Sequence, residues 1–150
     1  MNEGNIENEE ILRGIKHSFM VYRNGIVADT LRQAGMPYKI IFGLQLPQLS
    51  EIARRNTPSI DIADRLWADR HVRESRLLAC YLYPREVITE EKALALAEDV
   101  QTAEEADILC FRLLRYLPFV SQLAERLAQS GEPLTAYCAT ALRRNLDAMA

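Results

Sequence analysis

The sequence predicts an all-α chain, an α–α superhelix of stacked antiparallel helix pairs. Three observations carry this. Apolar residues recur at helical spacing along most of the chain, and no segment of length alternates with period two. Proline and glycine fall between the periodic stretches and not inside them. Cys80, Cys110 and Cys138 recur about every thirty residues, each midway along the second helix of a successive pair. Their neighbours are Ala79 and Tyr81, Leu109 and Phe111, Tyr137 and Ala139. A small apolar residue at a repeated position is what close stacking needs, because one pair cannot bury its apolar face alone.

The elements follow in order. Ile11, Ile15, Phe19 and Tyr22 mark a first helix, and Val27, Leu31 and Ala34 a second, stopped by Gly35 and Pro37. Pro37 to Leu46 reads as irregular. Pro47 suits the first turn of a helix bearing Leu49, Ile52 and Ala53, ending near Asn56 before Pro58. Asp61 is a candidate cap for a helix with Ile62, Leu66 and Trp67. A helix from His71 to Tyr83 is stopped by Pro84. Thr89 caps the next, with Ile88 before it and Ala93, Leu96, Ala97 and Val100 facing inward. Thr102 and Glu105 form a capping box for a helix running to Leu117. After Pro118 come Phe119, Val120, Leu123, Ala124 and Leu127, then Gly131 as a stop. Pro133 starts the last helix, striped by Leu134, Tyr137, Cys138, Ala141, Leu142 and Leu146.

One segment stands out. From Leu66 to Tyr83 the sequence reads as a helix, a turn of about two residues and a second helix. Arg70, Arg73 and Arg76 are spaced i, i+3, i+6, within roughly 60° of arc on a helix. Behind them Leu77 to Leu82 are apolar on all sides, so the helix is expected to lie between others with an arginine-bearing rim. Arg112, Arg115, Arg143 and Arg144 from later pairs are candidates to join it. Two roles are open: gripping phosphates, or standing solvated and paired with Asp69, Glu74 or other neighbours. Asp61, Asp64 and Asp69 lie close in sequence and would blunt a positive field.

At 150 residues the chain fits one domain over 1–150, with 1–8 as a candidate disordered lead. The net charge of −3 argues against phosphate binding over the whole surface, though a local basic groove stays open. Met1 to Glu10 has neither a basic nor an apolar region of a signal peptide, and no run of about 18 apolar residues would span a membrane. The three cysteines are odd in number and lie in apolar helical stretches. A cytoplasmic protein with reduced, buried thiols is expected, so Cys110 is read as structural. His17 and His71 are far apart and lack ligand spacing, so neither a metal nor another cofactor is expected.

Two segments carry a specific likeness: Phe42, Gly43, Leu44, Gln45, Leu46, Pro47, Gln48, Leu49 with Ile52 and Ala53, and Leu66, Trp67, Ala68 on to Arg73, Glu74, Leu77, Leu78 and Ala79. Together they resemble the N-terminal half of the AlkD-like DNA alkylation repair family. The resemblance extends over roughly residues 10 to 146 and is strongest over 42–83. It implies HEAT-like helix pairs, and an activity that excises alkylated, cationic purines from DNA without a metal. It also implies a concave face that binds duplex DNA.

The family's active site has a tryptophan and, four residues on, an aspartate at the start of a helix. Cleaving an N-glycosidic bond builds positive charge on the sugar, which a carboxylate stabilises and an aromatic face attracts. The matching stretch here is Glu105 to Cys110, where the tryptophan position holds Ala106 and the aspartate position Cys110. Taking Asp107 as the carboxylate puts Ala103 at the aromatic position, and the only tryptophan is Trp67. The family's later arginine falls in Leu134 to Tyr137, which has none. The chain ends where the family's second half would begin, so half of the DNA-binding concavity is expected to be missing. Loss of a placed charge stabiliser costs about 3–4 kcal/mol of transition-state energy.

Asp107 is thus a weak catalytic candidate or a first-turn aspartate favoured by the helix dipole. Arg70, Arg73, Arg76, Arg112 and Arg115 are the candidate DNA- or partner-binding residues. The expectation is a HEAT-like scaffold without glycosylase activity, binding a protein or duplex DNA through its concave face. The alternative is an alkylpurine glycosylase with a rearranged site.

Overall fold

The computed structural model describes residues 3–150. Among them are nine α-helices, two 3-10 turns and one isolated parallel bridge, between Ile40 and Val72. The chain divides into two compact units, one ending at Tyr83 and the other running Pro84–Ala150.

The first unit holds α1 (Glu3–Tyr22), α2 (Gly25–Gln33), α3 (Leu46–Arg54), α4 (Ile60–Trp67) and α5 (Arg73–Leu82). Glu3 to Asn8, read from their polarity as part of a disordered lead, are the first turns of α1, and Met1 and Asn2 lie outside the described residues. Farther along, α1 buries Ile15 and Phe19, and its ion pairs Arg65–Glu9 and Lys16–Asp69 tie it to α4 and the turn beyond. Asn24 caps α2, its side chain accepting from the N–H of Ile26 and Val27. Beyond α2, Ala28, Tyr38 and Ile41 form a small core against Leu31 and Met36. α3 begins as expected around Pro47, with Gln48 Oε1 accepting from Gln45 N at 2.9 Å.

The cap of α4 is Ser59, whose Oγ accepts from Ile62 N at 3.3 Å; Asp61 is instead a first-turn residue. Ser59 N donates to Leu82 O at 3.0 Å, which holds Ser59 extended at the position where the helix starts. α5 lies against both α3 and α4.

The second unit holds a 3-10 turn (Arg85–Val87), α6 (Glu90–Glu98), α7 (Ala103–Arg112), a second 3-10 turn (Leu114–Tyr116), α8 (Val120–Ala128) and α9 (Pro133–Met149). Thr89 and Thr102 cap α6 and α7 as expected. Glu105, however, reaches past the cap and accepts from Gln101 N and Gln101 Nε2 at 2.9 and 3.2 Å. α7 stops at Arg112, short of Leu117. Pro118 disfavours helix at the residue before it, and the break lets consecutive Leu113 and Leu114 both turn fully inward. α9 packs against α7 and α8.

The three cysteines are buried on α5, α7 and α9. Cys110 Sγ comes within 3.4 Å of Cys138 O, an approach of α7 to α9 that a larger side chain would prevent. The fold is all-α and built of HEAT-like helix pairs.

Candidate functional site

The arginine segment does not form the rim that its spacing suggests. α5 starts at Arg73, and residues 68–72 form the turn. Within that turn the backbone bridges to the loop before α3: Ile40 N donates to His71 O at 2.9 Å and Arg73 N to Ile40 O at 3.2 Å. Arg70 is therefore exposed and outside the helix, so the i, i+3, i+6 face is not built. Arg73 is 4% exposed and Arg76 fully buried.

Both guanidiniums serve as internal ties. Arg73 Nη1 donates to Leu44 O at 2.9 Å and to Glu74 Oε2 at 2.8 Å. Glu74, also fully buried, accepts from the N–H of Phe42, Gly43 and Leu44 at 3.0, 3.0 and 3.3 Å. Arg76 Nη1 donates to Trp67 O at 2.7 Å, and its guanidinium lies 3.6 Å from the Trp67 ring centroid. These bonds join the segment 42–49 to the segment 66–79. Side chains so committed are not poised to take phosphates.

On α7, Ala106 and Cys110 are fully buried, one turn apart on the inner face. Asp107 lies on the adjacent face and is half-buried. Tyr137 Oη donates to Asp107 Oδ1 at 2.7 Å, and Arg144 Nη2 approaches the same oxygen at 3.3 Å. The Tyr137 hydroxyl, and then the Asp107 charge, raise the Arg144 pKa above its ordinary value. Asp107 is thus engaged by a hydroxyl and a cation, and the residues flanking it on the inner face offer no aromatic surface.

The remaining predicted pair, Arg112 and Arg115, lies at the surface in a cluster with Arg85. Arg85 stacks over the Tyr116 ring at 3.6 Å, and Arg115 over Phe111 at 4.0 Å and Tyr116 at 4.6 Å. Arg112 lies 5.6 Å from the Phe111 centroid. Phe111 and Tyr116 are 43% and 40% exposed, and what sets them apart from other exposed apolar side chains is the arginines gathered on their rings. Phe111–Arg112 and Arg115–Tyr116 are adjacent aromatic–basic pairs visible in the sequence, whereas Arg85 joins them only through folding.

A groove of about 530 Å³ on the first unit is lined in part by Glu9, Arg13, Lys16, Arg65 and Asp69; four of these charges are paired with one another, and among the described residues that line it Arg13 is the one cation in excess. Among the described residues no group of histidine, cysteine or acidic side chains is placed to hold a metal, and no helix is long and apolar enough to cross a membrane.

A family model described as DNA alkylation repair enzyme matches residues 25–142. The chain belongs to that family. No curated protein and no solved structure matches it. The matched span runs from α2 into α9 and includes both joined segments and all of α7. In this family member, the residues that carry the sequence resemblance are thus the ones that tie α5 to the α3 loop and to α4.

Proposed function

We propose that this member of the DNA alkylation repair family binds duplex DNA as a scaffold and does not excise bases. The observation that carries the reading is the burial of Ala106 and Cys110: the positions matching the family's tryptophan and aspartate face the core. The acid beside them, Asp107, is hydrogen-bonded by Tyr137 and approached by Arg144. A cation at that distance already answers the negative charge that would stabilise a developing sugar cation. Binding is assigned to the surface of Arg85, Arg112 and Arg115, since Arg73 and Arg76 are held inside.

The test is base release from methylated duplex DNA alongside salt-titrated binding to the same duplex. The expected result is binding that weakens steeply with salt and release no faster than the spontaneous background. Release above background that disappears in Asp107→Asn overturns the non-catalytic reading in favour of the rearranged glycosylase. Asp107 is exposed enough that this variant should lose less than about 1 kcal/mol of stability, so lost activity would not be lost fold.

One observation favours a protein partner instead. Exposed Phe111 and Tyr116 interleaved with arginine have the composition of a protein-interface hot spot. Absence of DNA binding at low salt would select that reading.

A further inference from the structure

We propose that Arg85, Arg112 and Arg115 form a clamp for the phosphodiester backbone of nucleic acid, in which Phe111 and Tyr116 hold the arginines and do not stack on bases. The proposal rests on the DNA-binding reading above and specifies its chemistry. Exposed aromatic rings beside arginines ordinarily suggest base stacking. Here the rings are already occupied. Tyr116 has guanidiniums at 3.6 and 4.6 Å, and Phe111 has them at 4.0 and 5.6 Å. A base would have to displace an arginine to stack on the ring face that it covers.

Stacking leaves the edge of a guanidinium turned away from the ring, and the edge carries the N–H fork that matches a phosphate. Arg115 commits Nε to Phe111 O at 2.7 Å and one Nη2 hydrogen to Tyr116 Oη at 2.6 Å. Arg85 commits one Nη2 hydrogen to Arg112 O at 3.3 Å. A guanidinium has five N–H groups, so both keep donors to spare. Neither Arg85 nor Arg115 forms an ion pair among the described residues. The nearby acids Glu90 and Glu91 are held by Arg126 at 3.2 and 3.0 Å, leaving Glu86 as the exposed carboxylate next to Arg85 in sequence. Arginines already ordered by the rings lose less side-chain entropy on binding than free ones would. The donor set reads no base edge, so binding is independent of sequence.

The experiment is fluorescence anisotropy with three probes: an unmodified mixed-sequence duplex, a single strand, and a strand of the same length made of abasic sites. The wild type should bind the single strand and the abasic strand within about threefold of one another, since the bases contribute little. Arg85→Ala with Arg115→Ala should reduce the slope of log K against log[salt] on the duplex by about two. Arg85→Lys with Arg115→Lys should keep most of the slope yet bind several-fold more weakly, because lysine keeps the charge and loses the fork. Circular dichroism confirms that each variant is folded. A duplex affinity and slope unchanged in the alanine variant overturn the clamp, as do lysine binding equal to wild type and abasic binding more than about tenfold weaker. In each of those cases the wild type still binds DNA, so DNA binding itself survives, whereas an unchanged alanine variant moves it off this surface. Failure of the wild type to bind any probe removes that reading itself.

Discussion

Glu74→Ala should destabilise the first unit by about 4 kcal/mol. The carboxylate is fully buried, pairs with Arg73 at 2.8 Å, and accepts three backbone N–H groups from the loop leading into α3. Truncation takes the Glu74 carboxylate away from the buried Arg73 cation, and breaking a buried pair in this way costs about 3–5 kcal/mol. The orphaned N–H groups of Gly43 and Leu44 are also buried and add to the penalty. Glu74→Gln keeps an oxygen for the loop while removing the counter-charge, so it should cost about 2–3 kcal/mol. Arg73→Met with Glu74→Gln should lose less than the two single variants together, because the stranded cation is gone. Urea denaturation followed by the fluorescence of Trp67, the only tryptophan, reports on this unit directly. With m-values of about 2 kcal/mol per molar urea, Glu74→Ala should lower the midpoint by roughly 2 M. A loss below about 1 kcal/mol would show that the pair does not hold the loop, and the structural role assigned to Arg73 would fall with it.

Two further outcomes follow from the same unit. Tyr83 is buried and donates to Asp64 Oδ1 at 2.6 Å; burial first, and then that hydrogen bond, push its pKa above the ordinary tyrosine value. Above about pH 10 the unfolded chain therefore releases the phenolic proton while the folded chain keeps it. The unfolded state then binds fewer protons, so stability falls as pH rises, by at most about 1.4 kcal/mol per pH unit. Tyr83→Phe should be less stable than wild type by about 1 kcal/mol near neutral pH and should close that gap by about pH 11, and urea midpoints at both values decide it. Gly43→Ala should cost at least about 3 kcal/mol in the same assay, since Gly43 has φ +88° and an added Cβ would lie 2.1 Å from Asn24 O, a backbone atom that cannot swing away.

Most helices were legible because their signals are local. Thr89, Thr102 and Pro133 sit where α6, α7 and α9 begin, and the α9 stripe buries Cys138, Ala141 and Leu142 as its period predicts. The departures at the arginines share a cause: partners distant in sequence. Arginine is solvated by default, and nothing local to Arg73 and Arg76 shows that Leu44 O and Trp67 O will meet them. Nor does the run 70–76 reveal that Val72 bridges Ile40 and so delays the helix past Arg70. Arg112 and Arg115 are candidates in the sequence as arginines of a later helix pair. Arg85 is not, because it reaches them across the length of α6 and α7.

The geometry of α7 also bears on how the fold and the chemistry come apart. Successive helix positions are rotated by about 100°, so Ala106 and Cys110 share one face while Asp107 lies on the next. The first face is sealed: both residues are fully buried, and Cys110 already meets Cys138 O of α9 at 3.4 Å. An indole at 106 would have to fit where Ala106 is fully buried, and a carboxylate at 110 would face Cys138 O, so placing those two side chains at these positions would overpack the face and set two oxygens against each other. The second face is open to solvent, but its acid is held by Tyr137 and Arg144. By contrast, the ties that carry the family resemblance, Glu74 to the 42–44 loop and Arg76 to Trp67, use only groups inside the first unit and need nothing from α7. On the non-catalytic reading proposed above, the framework keeps its signature while α7 serves as structure.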